Sequence, residues 1–458
     1  MPTIILPVET LAREWDAKLL LAAFLARSGA EVIIGSHARI NARLHRLPAD
    51  VYVSQTIVKA KRRIFRIIRA LGMHLAAWDE EGMVWSNAAF YRNRRLDSVT
   101  WPMLERFFAW GEQQAQVIRE TFPDHLTALR VAGNPRQDLY TPALRPLFNV
   151  AVERIRRQYG RMILINSNFG SLNHARYPYT GLHKTPEQLK EISTLYRYDP
   201  ELVAYRYQVF LTFCDLVPRL AREFPERTIL IRPHPSENPA AWEELAAPFD
   251  NVVVRYDHEL IPWLLAADAV IHNGCTTAVE TAMLGRAAIE YRKADSDEWV
   301  PSQPRAVSVP AFSEEEVTAL LRNETMLQQA MQLHNVQQTL REIFHGWGDD
   351  ELASERLVRE LLALASKPRP KAGAPRQFSA RKKSAMRGME KALMGRLFPK
   401  TSANPAYISR KFPALPTRQV RQRLHELASI VGLPHPRVEQ LHDRIWRIMP
   451  AGSDGETS

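Results

Sequence analysis

Thiols are nearly missing from this chain of 458 residues: Cys214 and Cys275 are its only cysteines, far apart and outside any metal-ligand spacing. That excludes a disulfide framework and a cysteine-built zinc site, and it fits a reducing cytoplasm. Long apolar runs are missing too. The best, LLLAAFLA (Leu19 to Ala26), is bracketed by Lys18 and Arg27. It falls well short of the ~20 residues that span a bilayer and reads as a buried helix. The start, MPTIILPVET, has no basic region ahead of a long apolar core and does not read as a signal peptide. The third scarcity is local. Residues 367–400 carry 11 Lys and Arg against a single acid, Glu390, whereas the other 424 residues carry 50 against 49. The net charge of +11 therefore belongs to a near-neutral body with one basic segment, not to a nucleic-acid-binding protein basic throughout. Phe378, Met386, Met389, Leu393, Met394, Leu397 and Phe398 are interspersed with those cations. The mixture points to an amphipathic segment on an anionic membrane surface, with a solvated linker as the other reading.

The composition is otherwise ordinary, 45% hydrophobic and 24% charged, and the length allows two or three domains. Short apolar runs alternate with helical patterns from the first residues. TIILP (3–7), EVIIG (31–35), VYVSQ (51–55), MHLAAW (73–78), RFFAWG (106–111) and LRVAG (129–133) form one series. RMILINS (161–167), RTILIRPHP (227–235), NVVVRY (251–256), DAVIHNG (268–274) and AAIEY (287–291) form a second. Such alternation predicts parallel sheets covered on both faces, in two facing Rossmann-like domains. The expected partition is 1–145, 146–366 with closing helices near 313–322, 325–344 and 349–365, and a basic, partly amphipathic extension over 367–458. The last seven residues read as a disordered tail.

In open α/β sheets, ligands lie outside the C-terminal strand ends, and polar motifs stand at five of them. WDEEGM (78–83) sets Asp79, Glu80 and Glu81 before Gly82, whose freedom permits a tight turn. A carboxylate there is either a general base or part of a solvated acidic turn. RPHP (232–235) stiffens the backbone around His234 and adds the cationic fork of Arg232. HNGCTT (272–277) runs from a strand into a helix, offering Asn273, Gly274, Thr276 and Thr277 to a phosphate, with Glu280 one turn on for ribose hydroxyls. The threonines also suit plain helix capping. NSNFG (166–170) adds Asn166 and Asn168 as donors. GNPRQDL (133–139) brings Asn134, Arg136 and Asp138 to the end of the first series, as site residues or as a pair fixing a hinge. DSDEW (295–299) has an acid-x-acid pattern but reads as a surface loop.

Glu80-Glu81-Gly82, His234-Pro235 and Thr276-Thr277 resemble the three short motifs of bacterial CMP-sugar glycosyltransferases, the sialyltransferases, polysialyltransferases and Kdo transferases of GT-B type. With PVE, GNPR and NSNFG, the ordered set resembles the bacterial surface carbohydrate biosynthesis family over nearly the whole chain. Similar His-Pro and Ser/Thr arrangements occur in CDP-glycerol glycerophosphotransferases. The resemblance implies a metal-independent GT-B transferase that needs no cofactor. It would move an acidic sugar from a CMP donor to a surface glycan, capsule or lipopolysaccharide, or its lipid-linked precursor. Glu80 would be the general base with Glu81 as fallback, His234 would bind the cytidylate phosphate or help it leave, and Thr276 and Thr277 would hold that phosphate. It places the chain in the cytoplasm, peripheral on the inner membrane face. Some Kdo transferases retain configuration, which asks for a carboxylate nucleophile; Asp199 and Glu201 are possible, without a motif behind them. A CDP-polyol phosphotransferase and a twin-Rossmann sugar-nucleotide epimerase are the alternatives.

Overall fold

Apolar strands buried on both faces organise two α/β units in the computed structural model. It describes residues 1–175, 181–196, 198–255, 259–296, 299–323, 335–370, 373–397 and 404–452, with 325, 327, 329 and 331. One unit comprises residues 1–83, 88–147 and 341–458; the other comprises 84–87 and 148–340.

In the first unit, β1 (Thr3–Val8), β2 (Glu31–Ser36), β3 (Val51–Ser54), β4 (His74–Ala77), β5 (Arg106–Ala109) and β6 (Leu129–Val131) pair in parallel in the order β2-β1-β3-β4-β5-β6. The order reverses at β1, so the crevice beyond β1 and β3 is this sheet's natural ligand position. The helix Leu11–Arg27 returns from β1 to β2 with an unbroken buried run from Ala17 to Ala26. LLLAAFLA is thus a core helix, and Lys18 is inside that core.

The second unit holds β7 (Met162–Asn166), β8 (Thr228–Arg232), β9 (Val252–Val254), β10 (Ala269–His272), β11 (Ala288–Tyr291) and β12 (Val309–Ala311). All pairs are parallel, in the order β12-β11-β10-β7-β8-β9. Counted from β7, that is the Rossmann order 3-2-1-4-5-6, and the reversal falls between β7 and β10. Phe169, Phe210, Phe213 and Trp242 pack edge to face on one side of this sheet.

Beyond residue 340 the chain departs from the expected partition. The helix Ala353–Ala365 belongs to the first unit, where Asp138 accepts from the backbone N–H of Ala353 and Ser354, both at 2.8 Å. The basic segment is described over 367–370 and 373–397. Its helix Ala374–Leu397 packs on the helices His37–Arg43 and Arg62–Ala70. Two further strands, β13 (Arg437–His442) and β14 (Ile445–Met449), close the chain, with β14 antiparallel to β2 at the sheet's edge. Trp446 on β14 and Phe412 meet Trp15 on the first helix, burying that edge under aromatic rings. Residues 453–458, the bulk of the expected tail, lie outside the described residues, as do 398–400 of the basic stretch. Among the described residues no helix is long and apolar enough to cross a membrane.

Candidate functional site

In the second unit, register brings three of the sequence motifs side by side. Asn166, at the end of β7, pairs with Arg232 of β8 on one side and His272 of β10 on the other. NSNFG, RPHP and HNGCTT therefore leave neighbouring strand ends, and two of them flank the order reversal.

His234 is exposed, and its backbone N–H donates to Glu237 Oε1 at 3.1 Å. The backbone N–H of Ser236 donates to His234 Nδ1 at 3.2 Å, and Ser236 Oγ lies 2.8 Å from the same nitrogen. An N–H needs a lone pair to point at, so Nδ1 is unprotonated and the neutral ring carries its proton on Nε2. Gly170 sits hard against this turn: a Cβ there would stand 2.0 Å from Ser236 Oγ. What joins the loops is a residue that reading the motifs missed. Glu237, buried, accepts on Oε1 from Ser167 Oγ (2.9 Å), Phe169 N–H (2.9 Å) and His234 N–H, and on Oε2 from Trp242 Nε1 (2.9 Å). Burial pushes its carboxyl upward despite these four donors. Its spacing, three residues past His234 in PHPSE, was the available signal.

Beyond β10, Gly274 has φ +79°, a left-handed turn that favours glycine. Its N–H donates to Nδ1 of the buried His272 at 3.0 Å, and His272 Nε2 meets Ser308 Oγ at 2.8 Å. Burial first, and Arg292 second, lower the His272 pKa to about 3, so this histidine is a neutral brace for the turn. The helix Thr276–Met283 follows, with Cys275 in the capping position and no side-chain cap hydrogen bond. Its first N–H groups and dipole favour an anion. Thr276 is half-buried; Thr277 and Glu280 are buried. Asn166 Nδ2 and Asn273 Oδ1 are buried without a hydrogen-bond partner among the described residues, one donor and one acceptor on adjacent strand ends. Asn168 is exposed.

The first unit collects charge instead. Lys18 Nζ donates to the Pro7 carbonyl (2.8 Å) and Glu14 Oε2 (2.6 Å), and lies 3.0 Å from Glu80 Oε1. Burial opposes all of this, yet the paired charges hold Glu14 below and Lys18 above their ordinary pKa values. Gln55 Nε2 donates to Pro7 and, at 3.3 Å, to Glu14; Trp78 Nε1 donates to Glu80 Oε1 at 2.7 Å. Glu80 Oε2 and Gln55 Oε1 are buried acceptors without a partner among the described residues. Glu81 differs: it is exposed and ion-paired to Arg13 at 2.7 Å. Partial burial works against its charge, but Arg13, backed by Arg136 and Arg95, carries the carboxyl down to about 2. Asp79 is buried against Arg95, with Nε to Oδ2 at 3.0 Å. Gly82 serves close packing, since a Cβ would stand 2.3 Å from Gln114 Nε2.

GNPRQDL has structural work. Asn134, buried, caps the short helix Pro135–Asp138, accepting from Arg136 N–H at 3.0 Å, while Gln137 Oε1 accepts the Asn134 N–H at 3.2 Å. Arg136 donates to the Glu80 carbonyl at 3.2 Å, which ties this motif to the acidic turn; Asp138 caps the helix Ala353–Ala365. Asp199 likewise caps the helix Pro200–Glu223 through Glu201 N–H at 2.9 Å. In DSDEW, Asp295 pairs with Arg305, and Asp297 and Glu298 lie outside the described residues.

No family model matches the sequence, and no curated protein matches it. Solved structures do resemble the fold. A wall teichoic acid polymerase, TagF, superposes with a TM-score of 0.50 at 10% identity, over 80% of this chain and 88% of that one. A UDP-GlcNAc 2-epimerase from Neisseria meningitidis gives 0.48 at 12% identity, over 79% of this chain and 100% of that one. With two parallel-sheet α/β units and the likeness to TagF, the chain has a fold of GT-B type.

Proposed function

We propose that this chain is a glycosyltransferase that takes an acidic sugar, Kdo or a sialic-like nonulosonic acid, from a CMP donor. The acceptor is a bacterial surface glycan or its lipid-linked precursor, met at the inner face of the cytoplasmic membrane. One observation carries the reading: RPHP, NSNFG and HNGCTT stand on neighbouring strand ends around the β7/β10 reversal. The helix start at Thr276 and Thr277 suits the donor phosphate, and His234 Nε2–H suits an oxygen gaining charge. The orphaned Asn166 Nδ2 and Asn273 Oδ1 offer a further donor and acceptor to the nucleotide.

Transfer forms a bond from the acceptor oxygen to the anomeric carbon and breaks the bond from that carbon to the phosphate oxygen. The electron pair leaves on CMP. Glu80 is assigned the acceptor proton, because Oε1 is held by Lys18 and Trp78 while Oε2 is unpartnered. Glu81, held near pKa 2, is too weak a base.

Thermal shift against CMP, CDP, UMP and UDP tests the donor, with cytidine nucleotides expected to stabilise most; a uridine preference sinks it. His234→Ala should weaken CMP binding about tenfold, the worth of a charge-assisted hydrogen bond, and leave the melting temperature without nucleotide unchanged. The likeness to TagF favours a second reading, a CDP-polyol phosphotransferase. Stabilisation by CDP-glycerol but not by CMP would select it.

A further inference from the structure

Helices bury their large apolar side chains and leave small or polar ones outside. The helix Ala374–Leu397 does the reverse. Its inner face is small, with Ala380 and Ser384 buried, and Gly388 lies so close to the helix His37–Arg43 that a Cβ would stand 2.9 Å from the Ala42 carbonyl oxygen. Its outer face carries Phe378 (73% exposed), Met386, Met389 (72%), Leu393 and Leu397. With Met394, this one helix supplies half of the twelve large apolar side chains exposed among the described residues. Close packing of the small face rules out rolling the apolar face inward.

Folding also enlarges the basic surface beyond anything one stretch of sequence displays. The helix packs beside Arg62–Ala70, whose run KAKRRIFRIIRA (59–70) holds six cations and no acid, and beside 37–46, which holds three more. Residues 37–46, 59–70 and 374–397 together hold sixteen Lys and Arg against one acid, Glu390, a charge of +15. The whole chain nets +11, so everything else sums to −4. That one acid is already paired, to Arg63 at 3.1 Å. Where the helices meet, Lys61 Nζ lies 2.9 Å from His37 Nε2, and burial lowers Lys61 to about 8, with Glu9 and Glu14 opposing and Lys391 and Arg387 assisting. Acids elsewhere in the fold meet some of these cations, Asp97 at Arg62 and Asp443 at Arg39, and the cations still far outnumber them.

We propose that these three helices form a docking face for an anionic lipid bilayer. Phe378, Met386, Met389, Leu393 and Leu397 would enter the boundary between headgroups and acyl chains, with the cations over lipid phosphates. Exposed apolar side chains on a helix in a strongly net-positive cluster match that surface on both counts, and a soluble partner would have to supply both. The proposal shares only the peripheral location with the proposed function; CMP binding, measured in parallel, separates failure of one from failure of the other.

The test uses the full-length chain with vesicles of phosphatidylcholine alone or with phosphatidylglycerol added. Sedimentation with the anionic vesicles only, weakening as salt rises, is expected. Arg66→Gln, Arg69→Gln, Lys382→Gln and Lys383→Gln combined should weaken binding about a hundredfold or more, at roughly fivefold per charge. Phe378→Ser, Met389→Ser and Leu393→Ser combined should remove the part that survives high salt. All seven residues are exposed, so both variants should keep the wild-type melting temperature and CMP affinity. Equal binding by wild type and the charge variant overturns the proposal. So does duplex DNA binding tighter than the vesicles, or self-association without lipid that the serine variant abolishes.

Discussion

The two sheets present opposite chemistry at the same topological place. Beyond β7, β8 and β10, the second unit sets uncharged groups beside Arg232 and Glu237: a histidine protonated on Nε2, a braced glycine turn, a helix start without a side-chain cap and, among the described residues, two amide atoms without a partner. Beyond β1, β3 and β4, the first unit offers charges already neutralised: Glu14 and Glu80 on Lys18, Asp79 on Arg95, Glu81 on Arg13. In the second unit the helix start and the amide atoms are polar groups that ion pairs among the unit's described residues do not satisfy. In the first unit each buried carboxylate instead has a cation beside it, Lys18 for Glu14 and Glu80 and Arg95 for Asp79. The two strand-end clusters thus differ in how their charge is handled, and the proposed function gives the second unit the donor and the first unit the acceptor proton.

The strongest way to break that division is at Glu80. Glu80→Gln keeps the shape and removes basicity, so turnover should fall about 10²–10⁴-fold while CMP affinity, by calorimetry, stays within error. An equal loss of CMP affinity would make the first unit a binding element and dissolve the contrast. Lys18 comes next. Lys18→Met should cost about 3–5 kcal/mol in urea unfolding, because Glu14 and Glu80 are left buried without their cation. A cost under about 1 kcal/mol would mean the cluster is more hydrated than its burial implies.

How much of this could be read beforehand depended on whether the signal was local. Each of β1 to β11 is an apolar run that carries its own polar motif or turn, so both sheets and most strand-end loops were legible. Glu80, His234 and Thr276 stand in such local motifs, which is why they could be singled out as candidates. Lys18 was seen only as the edge of an apolar run, because nothing in LLLAAFLA shows that the lysine turns inward to meet Glu80. Glu237 was passed over, since its four donors come from three separate segments. β14 pairs with a strand some four hundred residues earlier, and RIWRIM has no turn or motif to say so. GNPRQDL left two readings open, because Gly-Asn-Pro at a strand end suits a ligand loop and a helix cap alike; the structure shows the cap.

Acid should strain a histidine of lowered pKa in each unit, His37 in the first and His272 in the second, and for His272 the size follows from its pKa. His272 is held neutral, with its pKa lowered to about 3 against 6.5 in the unfolded chain. Between those values the unfolded state binds the proton and the folded state does not. Stability therefore falls as pH drops from 6.5 towards 3, by on the order of 2–4 kcal/mol. Hydrogen exchange, corrected for its intrinsic pH dependence, should show peptides of β10 and the helix Thr276–Met283 losing protection over that range. Unchanged protection of these peptides there would overturn the assignment to His272.

The smallest effect is at Glu81, and its sign is the more informative part. Its folded pKa, about 2, lies below the ordinary 4.5, so the Arg13 pair contributes stability above pH 4.5 and loses it as pH falls towards 2. Both side chains are substantially exposed, and water and salt screen the pair, so about 0.5–1 kcal/mol is the expected size. Glu81→Gln should lower stability by that amount at pH 7 and leave it unchanged near pH 2. At pH 7 the cost should shrink as salt rises. Turnover should change less than threefold, on the order of the pair's own energy. A loss as large as that of Glu80→Gln would show that the exposed, arginine-held carboxylate is the base, and that burial beside Lys18 had marked the wrong residue.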